Sequence, residues 1–301
     1  MQYLDVASPH PCHPESRISL HLSSAYHWDL PELVHEMGQC GLHNLGMWRL
    51  RLEQFGEERC RDLLCERGIQ VSSLSWAGGF TGQHGISIRE TLHDSGAALD
   101  SAAALGAPYL LVVTGTRAGH SRNHVRRLLT EQLSIVAENA QLRGVAVLVH
   151  VLNGARAARW SCLDSTAQAL ELVQGCQHSR LGLAVDLHGL ARDPVALSRL
   201  DELVPHMGLA ILRDIPRVDA EGAVPADGSA GPPTASLADV VRRLEAAGYR
   251  GQYELHLPHQ QFTPVGSSVL LRHCRSRLVS WLSTPQSGSG DFLPLGAVED
   301  Q

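Results

Sequence analysis

The feature that most constrains this chain is an alternation of short apolar runs and amphipathic helical patterns, repeated eight times at a spacing of roughly 30 residues. In the clearest run, Leu181 to Asp186, hydrophobic residues continue until a carboxylate ends the run, and the helix signal Asp193-Pro194 follows. Such a run is typical of a parallel strand buried on both faces. Eight strand–helix units in about 250 residues predict a closed (β/α)8 barrel. No GxGxxG motif follows an early strand to favour a doubly wound sheet.

The predicted elements run almost without interruption along the chain. Strands are expected at 18–22, 43–48, 69–76, 108–113, 145–150, 181–186, 207–213 and 252–257. Helices are expected to begin at Asp29, a predicted N-cap, and to cover 52–67, 87–105, 121–142 (capped by Ser121), 163–173, 194–204, 236–247 and 265–282. A long Gly/Pro/Ala-rich loop is expected at 215–234. The pattern predicts one barrel over 18–283, between a flexible N-terminal segment, 1–17, and a flexible C-terminal tail, 284–301.

Composition narrows the functional classes. The hydrophobic fraction of 44% and charged fraction of 19% are those of a soluble globular protein. The net charge of −6 argues against a nucleic-acid partner, and no apolar run is long enough for a membrane. The N-terminus lacks a signal-peptide layout, and the seven cysteines, an odd number, fit reduced thiols. We therefore expect a cytoplasmic protein with a small-molecule substrate, and a homodimer is left open.

The chain contains no lysine, so every strongly basic side chain is an arginine. This excludes Schiff-base aldolase chemistry, a lysine-anchored pyridoxal cofactor and a Walker-type phosphate loop. Arginine cannot replace lysine in these roles, because its pKa is too high to supply a neutral nitrogen nucleophile.

Polar side chains stand at the ends of several predicted strands. They are His150, Asp186, Arg213 and His256. In a (β/α)8 barrel, the active site lies at the carboxyl ends of the strands. We therefore expect these four side chains to meet at one site, although the 17 histidines of the chain make any single pair weak evidence.

Several motifs, taken in order, carry a family resemblance. They are GLHNLGMWRLRLEQFG, ERGIQVSSLSWAGGF, LGAPYLLVVTG, LGLAVDLHGLARDP and AAGYRGQYELHLP. With these motifs, the chain from Ile18 to Leu282 resembles the xylose-isomerase-like TIM barrels, the superfamily of sugar-phosphate isomerases and epimerases related to endonuclease IV.

The resemblance implies a divalent metal held by Glu, Asp, His and Glu at the ends of strands five to eight. The corresponding residues here are His150, Asp186, Ile211 and His256. Ile211 cannot bind a metal, so the predicted ligands are His150, Asp186 and His256. Two imidazoles and one carboxylate suit Fe, Mn, Co or Zn better than Mg.

The resulting hypothesis is a metal-dependent isomerase or lyase that transfers a proton next to a carbonyl of a small oxygenated substrate, sugar-like or from secondary metabolism. The predicted acid/base residues are His188, Glu254 and Asp214, and the predicted substrate-binding residues are Trp48, Arg49, Trp76, His120 and Arg213. Arg213 has an alternative role as the partner of Asp214. Glu171 and Glu245 look like solvated helix charges.

Two other functions are left open. A non-haem Fe(II) oxygenase would use His150, Asp186 and His256 as its two-histidine, one-carboxylate triad. A non-catalytic binding protein on a degenerate barrel would use the same histidines only for hydrogen bonding.

Overall fold

Eight parallel strands close into a barrel in the computed structural model, which describes residues 3–5, 13–25, 27–82, 85–152, 157–213, 234–257 and 267–283. Each strand pairs with the next one along the chain, and the eighth pairs with the first. The strands are β1 (Ile18–His21), β2 (Asn44–Trp48), β3 (Gln70–Gly78), β4 (Tyr109–Val113), β5 (Ala146–Val151), β6 (Leu181–Asp186), β7 (Met207–Leu212) and β8 (Gln252–Leu255). The predicted (β/α)8 barrel is confirmed, with strand bounds within two residues of expectation.

The described helices pack around this barrel. They are α1 (Leu30–Gln39), α2 (Arg49–Phe55), α3 (Glu57–Glu66), α4 (Ile88–Ala104), α5 (Arg122–Gln141), α6 (Thr166–Cys176), α7 (Leu187–Leu190), α8 (Pro194–Leu197), α9 (Leu200–Leu203), α10 (Leu237–Ala246) and α11 (Ser267–Ser283). The expected N-caps are present: Asp29 accepts from the backbone N–H of Leu30, and the Ser121 hydroxyl accepts from that of His124. The loop 215–233 and the tail 284–301 lie outside the described residues.

Two predicted helices are divided in the structure. The helix expected at 52–67 is α2 and α3, which meet at Gly56, whose φ of 93° lies outside the helical region. The helix expected at 194–204 is α8 and α9, because Arg199 between them has φ −119° and ψ 31° and interrupts the helical hydrogen bonding. The expectation of single helices was wrong at both places.

Side chains alternate along each strand, so that one set packs inside the barrel as an inner core and the other packs against the helices as an outer core. The inner core contains Tyr109, Leu111, Ala146, Leu148, Ala184, Leu209 and Ile211. Every second residue of a strand points into the barrel, so the inward positions that follow on β5, β6 and β7 belong to His150, Asp186 and Arg213. The interior along β4 to β7 is therefore apolar until the carboxyl ends of these strands, whereas the buried inward residues of β1 and β8, Ser19, Gln252 and Glu254, are polar.

The N-terminal segment contacts the barrel where it is described. Leu4 packs against the inner core, and its backbone N–H donates to the carbonyl of Pro205 at 3.1 Å. Leu4 lies in the segment 1–17, whose expected flexibility stays a prediction. The six cysteines in the described residues are free thiols. Among the helices that the structure describes, none is long and apolar enough to cross a bilayer.

Glu245 is not the solvated charge that its helix position suggests. Its side chain is 19% exposed, and its carboxylate accepts two hydrogen bonds from the Arg17 guanidinium, at 2.7 and 2.8 Å. The Tyr253 hydroxyl donates a third, at 2.8 Å. The three groups join the chain before β1 to α10 and β8.

Replacing Glu245 with alanine should lower the free energy of unfolding by about 2–4 kcal/mol, because a largely buried guanidinium and a buried hydroxyl lose their partner. Urea denaturation followed by circular dichroism measures the change. Glu171→Ala is the matched control, since Glu171 is an exposed residue of α6, and it should shift stability by about 0.5 kcal/mol or less. Equal effects of the two substitutions would contradict the role given to Glu245.

Candidate functional site

A buried group of three potential metal ligands lies at the carboxyl ends of β1 and β8. It consists of His21, Glu254 and His256, which each offer one ligand atom, all within 4.8 Å of one another. His21 ends β1, Glu254 lies on the inner face of β8, and His256 follows the last residue of that strand. Among the described residues this is the group that could hold a metal ion, and we call it the His21 group.

Glu254 is fully buried, and three neighbouring side chains compensate its charge by hydrogen bonding. Its Oε2 accepts from the hydroxyls of Ser72 and Ser73 at 2.7 and 2.8 Å, and its Oε1 lies 2.7 Å from His256 Nε2. Burial acts to raise the pKa of Glu254, but its hydrogen bonds, above all the one with His256, lower it to about 2. Glu254 is therefore a carboxylate at neutral pH, and His256 Nε2 donates to it because a carboxylate has no proton to give.

The strand register next to Glu254 explains how both serines reach it. The pairing of β2 with β3 shifts between Leu45 and Gly46, so that Val71 and Ser73 are paired and Ser72 is the extra residue. A bulge of this kind re-aims a side chain, and here two consecutive serines donate to the same oxygen.

Gly46 makes room for the His21 group. A Cβ at this position would lie 2.5 Å from Glu254 Oε2 and 2.7 Å from His21 Cδ2, distances that real Cβ atoms do not show. The glycine in the middle of β2 is therefore a spatial requirement of the site.

His21 is neutral, and each of its ring nitrogens has a hydrogen-bond partner. The backbone N–H of Ser23 donates to Nδ1 at 3.2 Å, which leaves the proton on Nε2, 2.6 Å from the Ser75 hydroxyl. Its ring stacks on that of His256 with centroids 4.1 Å apart. Burial, together with the charge of His256, lowers the pKa of His21 to about 3.

Trp76 and His150 extend the aromatic cluster across the barrel. The Trp76 indole N–H donates to His150 Nδ1 at 3.0 Å, and the two rings stack with centroids 6.1 Å apart. The rings of His150 and His256 meet edge to face at 5.9 Å. Burial, and the positive charges of His256 and Arg213, hold the pKa of His150 well below its ordinary value.

Asp186 is a second buried carboxylate, and its main partner is an arginine. Its Oδ2 lies 2.6 Å from Arg213 Nε, and its Oδ1 accepts from the backbone N–H of His188 at 2.9 Å. Burial acts to raise the pKa of Asp186, but the Arg213 charge and His188 lower it well below its ordinary value. His188 Nδ1 is 3.7 Å from Oδ1, which is too far for a hydrogen bond.

The structure distributes the three predicted metal ligands over different partners. His256 belongs to the His21 group, His150 is bonded to Trp76, and Asp186 is paired with Arg213. Ile211 lies in the apolar inner core, as its side chain requires. Arg213 pairs with Asp186, whereas Asp214, its predicted alternative partner, lies outside the described residues.

The remaining predicted substrate-binding residues are separated from one another. Trp76 lies within the aromatic cluster, whereas Trp48 packs against the outer core. Arg49 makes two hydrogen bonds to Asp94 of α4, at 2.7 and 2.8 Å, so its charge is already matched. His120 lies against His124 with ring centroids 4.8 Å apart, at the start of α5.

His21 is the residue that sequence reasoning missed. The rule applied to β5, β6 and β8, that an apolar strand ends in a ligand-type side chain, also holds for Ile18–His21. Applied to the first strand, it would have placed His21 at the same rim of the barrel.

Comparison with known proteins identifies the family. Residues 29–270 match the family model of the xylose isomerase-like TIM barrel. The chain belongs to this family. No curated protein matches the chain significantly.

Solved structures agree with the family in fold. The protein SMc04130 of Sinorhizobium meliloti 1021 is 23% identical, covers 87% of this chain and 98% of its own, and gives a TM-score of 0.74. An IolI protein solved with a zinc atom is 12% identical over 88% of this chain and 96% of its own, with a TM-score of 0.68. An L-ribulose 3-epimerase is 14% identical over 89% and 94%, with a TM-score of 0.69.

Acidification should destabilise the protein through His21. Because the pKa of His21 falls from 6.5 to about 3 on folding, the unfolded chain binds more protons between these values, and stability decreases as the pH falls from about 6.5. The slope contributed by one such group is at most about 1.4 kcal/mol per pH unit. Urea denaturation in EDTA at several pH values should give a shallower dependence for His21→Gln. The exposed His43→Gln should follow the wild type, and an unchanged slope in His21→Gln would refute the assignment.

Adding one methyl group at Gly46 should disturb the His21 group. Gly46→Ala is expected to cost about 1–3 kcal/mol of stability, because the new Cβ overlaps two buried side chains. In the exposed helical Gly175→Ala, where the Cβ meets nothing within 4 Å, stability should rise by about 0.5–1 kcal/mol. Thermal unfolding of both variants measures the contrast, and a harmless Gly46→Ala would mean that the site has more space than the structure gives it.

Proposed function

We propose that this protein is a divalent-metal-dependent enzyme of the isomerase or lyase type, which transfers a proton next to a carbonyl of a small, sugar-like substrate. The observation that carries the proposal is the buried His21 group at the carboxyl ends of the barrel strands, where (β/α)8 enzymes have their active sites. The epimerase among the similar structures supports the reaction class, and the zinc atom of the IolI protein supports the metal.

The donor set of the His21 group fits a borderline divalent ion. Two imidazoles and one carboxylate suit Fe, Mn, Co or Zn, and Mg less well. A bound ion would supply a positive centre that polarises the substrate carbonyl. Binding through Nε2 of His256 would require this nitrogen to give up its hydrogen bond to Glu254, with the ring proton on Nδ1 instead.

The base that accepts the proton from the substrate has to lie outside the His21 group. Glu254, with its low pKa and three hydrogen-bonding partners, is a poor proton acceptor. His188 is a better candidate, because its side chain is partly exposed and lies beside the buried charge of Asp186. It would take a proton from the carbon next to the carbonyl while negative charge develops on the carbonyl oxygen, and return it to the neighbouring carbon. Asp214 remains a second candidate for this role.

Metal content and solvent exchange test the proposal together. Protein purified without chelator should contain about one divalent ion per chain and should exchange the hydrogen next to the carbonyl of ketoses with deuterium from the solvent. His21→Ala and His256→Ala should each lose the metal and at least about 100-fold of the exchange rate. His188→Gln should keep the metal and lose the exchange, whereas His43→Ala, an exposed control, should keep both.

The outcomes separate the alternatives. Protein without stoichiometric metal, whose stability is unchanged by EDTA, would favour a non-catalytic binding protein. The two-histidine, one-carboxylate donor set also fits a non-haem Fe(II) oxygenase, now through His21, Glu254 and His256. Oxygen consumption that requires Fe(II) would favour the oxygenase, and anaerobic turnover with Mn or Zn would exclude it.

A further inference from the structure

His150 carries a buried hydrogen-bond donor that the described residues leave without a partner. Its side chain is 2% exposed, and its Nε2 has no hydrogen-bond partner among the residues that the structure describes. The nitrogen lies in the barrel interior, on a ring in contact with Trp76 and His256 and within reach of the Arg213 and Asp186 charges. Buried polar groups are rarely left unsatisfied in folded proteins, so this one calls for an explanation.

Trp76 determines which nitrogen of His150 carries the proton. An indole N–H can only donate, so His150 Nδ1, 3.0 Å away, has to accept and carries no proton. A neutral imidazole then has its proton on Nε2. The unsatisfied atom is therefore an N–H donor, and its lone pair is not available to a metal.

We propose that His150 is the substrate-binding residue that donates a hydrogen bond from Nε2 to the carbonyl oxygen of the substrate, with Trp76 as the residue that fixes its tautomer. A fixed neutral donor stabilises the negative charge that develops on this oxygen when a neighbouring carbon loses its proton. The His150 ring meets the ring of His256, a member of the His21 group, edge to face at 5.9 Å. That the acceptor is a carbonyl oxygen rests on the proposed function. The tautomer of His150 follows from its contact with Trp76 and does not depend on that function.

The tautomer is tested on the protein without any ligand. In 15N-labelled protein, the Nδ1 signal of His150, assigned by its loss in His150→Gln, should have the shift of an unprotonated nitrogen, and Nε2 that of a protonated one. In Trp76→Phe, which keeps the ring but removes the donor, the two shifts should move towards each other. A proton on Nδ1 in the wild type would overturn the proposal.

Ligand binding is tested with a pair of small probes. Dihydroxyacetone should shift the Nε2–H signal of His150, and glycerol, the matching triol without a carbonyl, should shift it at least about fivefold less at equal concentration. A signal that neither probe moves would mean that the donor serves a resident water molecule, and it would overturn the subsite.

Substitution separates donation from packing. His150→Gln places an amide N–H near the position of Nε2 and should keep dihydroxyacetone binding within about threefold. His150→Leu removes the donor and should weaken binding about tenfold or more, and equal binding by the two variants would refute a donor role. Absence of metal and of deuterium exchange would contradict the proposed function but not the role of His150, because the tautomer and the probe shifts are measured without turnover.

Discussion

Two carboxylates held inside the barrel determine what surrounds them. Charged groups out of water need donors or opposite charges close by, and Glu254 and Asp186 meet this need differently. Glu254 is compensated by two hydroxyls and an imidazole, all uncharged hydrogen-bonding groups when His256 is neutral. Asp186 is compensated by the full charge of Arg213. The first arrangement leaves negative charge to offer a cation, whereas the second is already neutralised.

The fold brings these groups together through strand geometry alone. Alternation along β4 to β7 sends apolar residues into the barrel below the polar ones at its rim, and closure of β8 onto β1 brings His256 to His21. The rings of Trp76 and His150 lie beside that of His256, so the aromatic cluster continues from the His21 group towards β3 and β5.

The sequence was enough to predict the barrel and the rim, and insufficient to predict the partners. Continuous apolar runs ending in His150, Asp186 and His256 placed these residues correctly at strand ends, because parallel strands in a barrel share one direction. Which of these side chains contact one another depends on distances of a few ångström across the barrel. The bulge that turns Ser72 inward and the pairing of Asp186 with Arg213 leave no pattern in the sequence. Glu245 was misjudged for the same reason, since its partner Arg17 lies 228 residues away along the chain.

The missing side chain at position 46 has a consequence for the history of the family. A strand residue with any Cβ there would collide with the carboxylate at 254, so neither position is free to change while the other stays. Relatives that retain an acidic residue at the second position should therefore have inherited glycine at the first. Lineages that acquired a larger residue on β2 should have lost the acid as well, and with it the buried carboxylate on that side of the barrel.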